Sequence, residues 1–176
     1  MSSSPSPSPP SAAIRPSSTS NSKTGITSTT ASDRNELIPK KTKLAIPPSA
    51  ARVQLIFKEL KTLKIESYPN AVGVLFRVFI EFSVDFYVKK HLPSLNSNDS
   101  LMKKVDETCK DMVSKNILTK YEVKPIQTAI STPHSLFSMN TFNAYIHNPN
   151  MTPKKPDMIH TWNDFGVFLQ KLWDNV

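Results

Sequence analysis

Cysteine and glycine are scarce in this chain: one and three among 176 residues. A lone cysteine, Cys109, excludes an internal disulfide and any multi-cysteine zinc site. It falls on an apolar position of a predicted helix, so a buried thiol is the expected reading rather than a nucleophile. Few glycines, and no alternating apolar–polar runs, leave little room for strands. No stretch approaches the ~20 apolar residues that span a bilayer. The expectation is a soluble, cytoplasmic protein with no membrane contact. The chain also lacks a Gly-rich phosphate loop, a nucleophile elbow and a His-Glu-x-x-His pattern. Its four histidines, His91, His134, His147 and His160, are too scattered for a metal site. No metal and no cofactor is expected.

Acidic residues are the minority, and the net charge of +8 divides evenly. Residues 1–48 hold six basic and two acidic side chains, and residues 49–176 hold sixteen and twelve. A mildly basic body permits contact with nucleic acid, but no Lys/Arg stripe demands it.

The first 48 residues contain eight of the fifteen prolines and are crowded with Ser and Thr. Residues 1–36 have too little apolar surface to offset chain entropy, so a disordered tail is expected. They contain no continuous apolar segment of the secretory kind. The tail is Ser-rich, basic and acid-poor like a transit peptide, but without a sustained amphipathic pattern. Residues 37–48 read as an extended basic arm on the body. Leu37, Ile38, Leu44 and Ile46 flank Lys40-Lys41-Thr42-Lys43, while Pro39, Pro47 and Pro48 forbid a helix. Lys40, Lys41 and Lys43 are candidate nucleic-acid contacts, with a solvated linker as the other reading.

Residues 49–176 have helical periodicity throughout, which predicts an all-α bundle of five to six helices. Ser49 is the expected N-cap of a first helix reaching about Leu63. Tyr68-Pro69-Asn70 opens a long second helix ending near His91, before Pro93. Leu101, Met102, Val105, Cys109, Met112 and Val113 define the apolar face of a third. A fourth begins at Thr119 or Tyr121 and reaches Ile130. A fifth covers about Ser138 to His147, and the last runs from Asp157 to Trp173.

The second helix is apolar almost all round, interrupted by one polar line at intervals of four: Gly73, Arg77, Glu81, Asp85 and Lys89. Three readings are open for this line: a solvated stripe, a half-buried network that sets how helices dock, or a functional site. The run Phe142-Asn143-Ala144-Tyr145-Ile146-His147-Asn148-Pro149 brings Asn143 and His147 to one helix face. His147 suits general acid–base work, with an unperturbed pKa near ~6.5. It equally suits closing a helix whose end Asn148-Pro149 marks. If the two form a site, Arg77, Glu81 and Asp85 would face Asn143 and His147 across one seam; if they lie apart, a structural account remains.

The runs "YPNAVGVLFRVFIEFSVDFYV" and "TFNAYIHNP", followed by a Trp-bearing last helix, resemble a helical domain that ends longer bacterial proteins, some of which begin with ParB-like modules. The arrangement is also similar to the HEPN superfamily (higher eukaryotes and prokaryotes, nucleotide-binding), which includes abortive-infection and toxin proteins. The resemblance covers about Leu37 to the C-terminus. In active members of that superfamily an Arg separated from a His by four to six intervening residues cleaves RNA, commonly in a dimer. Carried over, His147 matches the motif histidine, but Asn140, Thr141 and Phe142 occupy the Arg positions. Asn143 is the nearest polar substitute and has no permanent charge to offer a phosphate. Arg77, beside Glu81, would have to supply that charge from the neighbouring helix.

The expectation is therefore a non-catalytic helical interaction or oligomerisation domain in a bacterial DNA-associated or phage-defence setting. Its partner would be a second copy or a larger protein. One alternative is a metal-independent ribonuclease with His147 as acid/base and Asn143, Arg77 and Glu81 in support. The other is nucleic-acid binding through the basic arm.

Overall fold

The computed structural model describes residues 34–133, 135, 138, 141 and 148–176, and among these the named regular elements are five α-helices and one 3-10 turn. The turn is Pro48–Ala50; the helices are α1 (Ala51–Leu60), α2 (Pro69–His91), α3 (Leu101–Ser114), α4 (Lys120–Ser131) and α5 (Lys155–Asp174). The expected all-α architecture is what is found. Among the described residues the only strand-like pairing is an isolated antiparallel bridge between Glu36 and Lys64. No helix among them is long and apolar enough to cross a membrane.

Helix α2 is the hub. It packs on α1, α3 and α5, while α3 packs on α4 and α4 on α5. Helices α2 to α5 thus close a circuit, and α1 leans on α2 from outside. An apolar surface that wraps α2 requires such cover: Phe76, Phe79, Ile80, Val84 and Tyr87 are all fully buried. The last helix supplies the large partners, with Trp162 about 6 Å from both Phe76 and Phe79 and Trp173 5.7 Å from Phe86. Cys109 lies in this core with no exposure, and burial, aided by Asp106, pushes its thiol up to about 12. It is a packing residue.

Local chemistry explains several helix ends. Ser100 caps α3, its hydroxyl accepting from the Lys103 N–H. Asn116 adopts a left-handed conformation (φ 56°) beyond α3. Its N–H and that of Ile117 return to the Val113 and Met112 carbonyls, which closes the helix in a Schellman motif. Thr119 and Glu122 form a reciprocal capping box on α4. Two expectations fail. Ser49 does not cap α1, because the chain leaving Pro47-Pro48 forms the 3-10 turn first and Ala50 takes the cap position; α1 then ends at Leu60 rather than Leu63. Met102 is 37 % exposed, because the apolar arc of α3 is centred on Leu101, Val105, Cys109 and Met112. The expected fifth segment, Ser138 to His147, lies mostly outside the described residues.

Glu122 has a second duty. Its other carboxylate oxygen accepts from Lys171 Nζ of α5 at 2.8 Å. That bond, followed by those from Thr119, holds its pKa down at about 2 instead of 4.5. A carboxylate with a depressed folded-state pKa stabilises the fold above its unfolded value and loses that contribution as it protonates. The thermal midpoint should therefore fall as pH drops from about 4.5 towards 2. Glu122→Gln should lower the midpoint at neutral pH and flatten this acid limb. An unchanged limb in the variant would show that other carboxylates control it.

Candidate functional site

The polar line on α2 sinks progressively into the bundle. Arg77 is 4 % exposed, Glu81 and Asp85 are half-buried and Lys89 is in solvent. Burial pulls the Arg77 pKa down, and Glu81, one turn on, offsets part of that cost. Asp85 reaches across to α3, where its Oδ1 accepts from Lys104 Nζ at 2.8 Å. Lys104 is itself 4 % exposed. Asp85 thus docks α2 against α3, while Arg77 is buried inside the bundle. Asn143 and His147, the proposed facing pair, lie outside the described residues. Arg77 and Glu81 are brought together as neighbours on α2.

The Asp85–Lys104 pair is asymmetric, and so are the expected mutational costs. Asp85→Ala leaves a buried ammonium without its carboxylate and should cost about 1.5–3 kcal/mol, as for hydrogen bonds to charged groups. Lys104→Met frees an Asp85 side chain that is already 41 % exposed and fills the same space. It should be neutral to within ~1 kcal/mol. Chemical denaturation of the two variants measures the difference, and equal losses would contradict this account.

A second polar cluster was not anticipated from the sequence. At the C-terminal end of α2, the Tyr87 hydroxyl donates to Asp111 Oδ2 at 2.8 Å, and Lys115 Nζ donates to the same oxygen at 2.7 Å. The His91 ring lies tilted against the Tyr87 ring, centroids 4.4 Å apart, and points Nε2 at the Asn175 carbonyl, 2.9 Å away. Burial, then the Asp111 carboxylate, pushes the Tyr87 pKa up. Burial works against the Asp111 charge, yet the Lys115 and Tyr87 bonds hold its pKa below the usual value. Tyr87/His91 and Asp111/Lys115 are each four residues apart, a signal that was legible once α2 and α3 were paired. The cluster ties α2, α3 and the C-terminus together. No group of His, Cys, Asp or Glu among the described residues could hold a metal ion.

The arm forms the third arrangement. Three contacts set its course: Glu36 pairs with Lys64, Lys61 Nζ donates to the Thr42 carbonyl at 2.8 Å, and Gln54 Nε2 donates to the Ile46 carbonyl at 2.7 Å. The arm therefore runs antiparallel along α1, from its C-terminal end to its start. Exposure alternates along it. Lys41, Lys43 and Ala45 face solvent, whereas Leu44 is half-buried and Ile46 buried, the period of an extended chain on a surface. Leu37 and Ile38 are fully buried anchors. Residues 40–64 hold seven basic side chains and one acidic one, Glu59. Of these, Lys40, Lys41, Lys43, Arg52, Lys58 and Lys64 are exposed. Three of the seven are partly committed: Lys61 to Thr42, Lys64 to Glu36, and Arg52 over the Phe82 ring at 5.0 Å.

Comparison with protein-family models, with curated proteins and with solved structures finds no match for this chain. The likeness to ParB-linked and HEPN helical domains rests on the sequence runs alone.

Proposed function

We propose that this chain is a non-catalytic helical binding module that docks on a nucleic-acid backbone through the face made by the arm and α1. The observation that carries the reading is the antiparallel seating of the arm on α1. It turns a short basic run into part of a folded surface that carries three exposed lysines, Lys40, Lys41 and Lys43, with Lys58 exposed in the last turn of α1. Ammonium groups presented on a fixed backbone bind phosphates as point charges and release counterions. The burial of Arg77 favours a binding role over the ribonuclease alternative, since a guanidinium at 4 % exposure is poorly placed to meet a substrate phosphate. The DNA-associated setting implied by the sequence runs agrees with this function.

Fluorescence anisotropy of labelled single-stranded and duplex oligonucleotides, measured across a salt series, tests the proposal. Binding should weaken linearly in log–log form, with a slope near −0.9 for each phosphate neutralised on duplex DNA. Absence of binding at low salt, or affinity indifferent to salt, would remove the reading.

A further inference from the structure

A cleft of about 430 Å3 lies between the C-terminal half of α2, the loop that leaves it and the first turns of α3. That volume falls within the ~300–1,000 Å3 typical of small-molecule sites. Leu92 and Leu95 contribute to its apolar wall; Asp85, Lys89, Ser97 and Lys104 supply the polar groups. Lys104 is the unusual member. Its side chain is 5 % exposed, yet its ammonium finds one acceptor among the described residues, Asp85 Oδ1. An ammonium carries three donors, so this buried cation has protons to spare. A buried charge whose donors are only partly used is costly, and an anion entering the cleft would relieve that cost. The local charges agree. Lys89 and Lys104 outnumber Asp85, and the nearby Asp99 is already bonded to Lys103 at 2.8 Å. One negative charge completes the balance, and the apolar wall asks for a hydrocarbon body attached to it.

We propose that this cleft binds a small amphipathic monocarboxylate. Its carboxylate faces Lys104 and Lys89, and its apolar part lies against Leu92 and Leu95. Asp85 acts as a positioning residue that holds Lys104 in the wall. The site is separate from the arm–α1 face and does not depend on it.

Titration of the full 15N-labelled chain with octanoate, followed by 1H–15N NMR, tests this directly. Saturable shifts are expected at Leu92, Leu95, Ser97 and Lys104, with octan-1-ol binding at least ten-fold more weakly. Lys104→Met should weaken octanoate ten-fold or more, and Lys89→Gln about three-fold. Shifts that do not saturate or that scatter over the surface would overturn the site. Equal affinity for octan-1-ol, or undiminished binding by Lys104→Met, would overturn the role of the carboxylate. Should Lys104→Met fail to fold, Lys89→Gln and the octan-1-ol comparison decide: undiminished octanoate binding in the first, or parity in the second, rejects the proposal.

Discussion

Phe79→Ala should lower the unfolding free energy by about 3–5 kcal/mol, the cost of truncating a large buried aromatic side chain. Phe79 has no exposure. It stacks on Phe57 of α1 at 5.8 Å and meets Trp162 of α5 at 6.4 Å, so one ring joins three helices. Neither neighbour can readily collapse into the space. Phe57 is held on the outer helix with Lys61 Nζ 5.4 Å from its ring centroid, and Trp162 already contacts Phe76. Cavity and transfer costs therefore add. The control is Leu55→Ala on the outer side of α1, where 57 % exposure implies a change of no more than ~0.5 kcal/mol. Urea denaturation of the pair measures the contrast. A loss below ~1.5 kcal/mol for Phe79→Ala would mean that α1 and α5 do not meet on this ring.

The central place of α2 was legible in the sequence, because a helix apolar almost all the way round has to be covered on most faces. Periodicity also located the ends of α2, where Tyr68-Pro69-Asn70 and Pro93 punctuate the chain. It failed where two local rules compete. Ser49 is a good cap by type, yet Pro47 and Pro48 steer the backbone into a 3-10 turn before a capping geometry can form. At Met102 the spacing allowed two neighbouring arcs of α3, and only docking against α2 and α4 chooses between them. Polarity was harder still. The line Arg77, Glu81 and Asp85 was visible, but nothing local to it indicates that its cationic partner is Lys104. That lysine sits nineteen residues from Asp85, and lysines are ordinarily assigned to solvent. The arm was read as extended from its prolines. Its direction along α1 depends on backbone acceptors at Thr42 and Ile46, which carry no sequence signature.

Replacing Lys40, Lys41 and Lys43 together by Gln should reduce affinity for duplex DNA about a hundred-fold near 0.1 M salt. Each phosphate contact contributes ~0.9 to the slope of log affinity against log salt. Three lost contacts should therefore flatten that slope by about 2.7. The fold should survive, because all three side chains are exposed and the arm is held by other groups: the buried Leu37 and Ile38 and the Gln54 and Lys61 bonds to its carbonyls. Surface changes of this kind usually stay within ~0.5 kcal/mol, so a loss of binding would not be a loss of structure. The decisive comparison is a charge-matched variant on the far side of the circuit. Lys120, Lys124 and Lys110 are also exposed, and they lie on α3 and α4, neither of which packs on α1. If net charge alone governed binding, both triple variants would lose affinity equally and the arm would have no special part. If the seated arm is the docking surface, the second variant keeps nearly the full slope while the first does not. Lys61→Met sharpens the test, since it removes the bond to Thr42 and frees the middle of the arm. Affinity should then fall further than one lost charge explains, because three lysines that were held in register must be ordered again on binding.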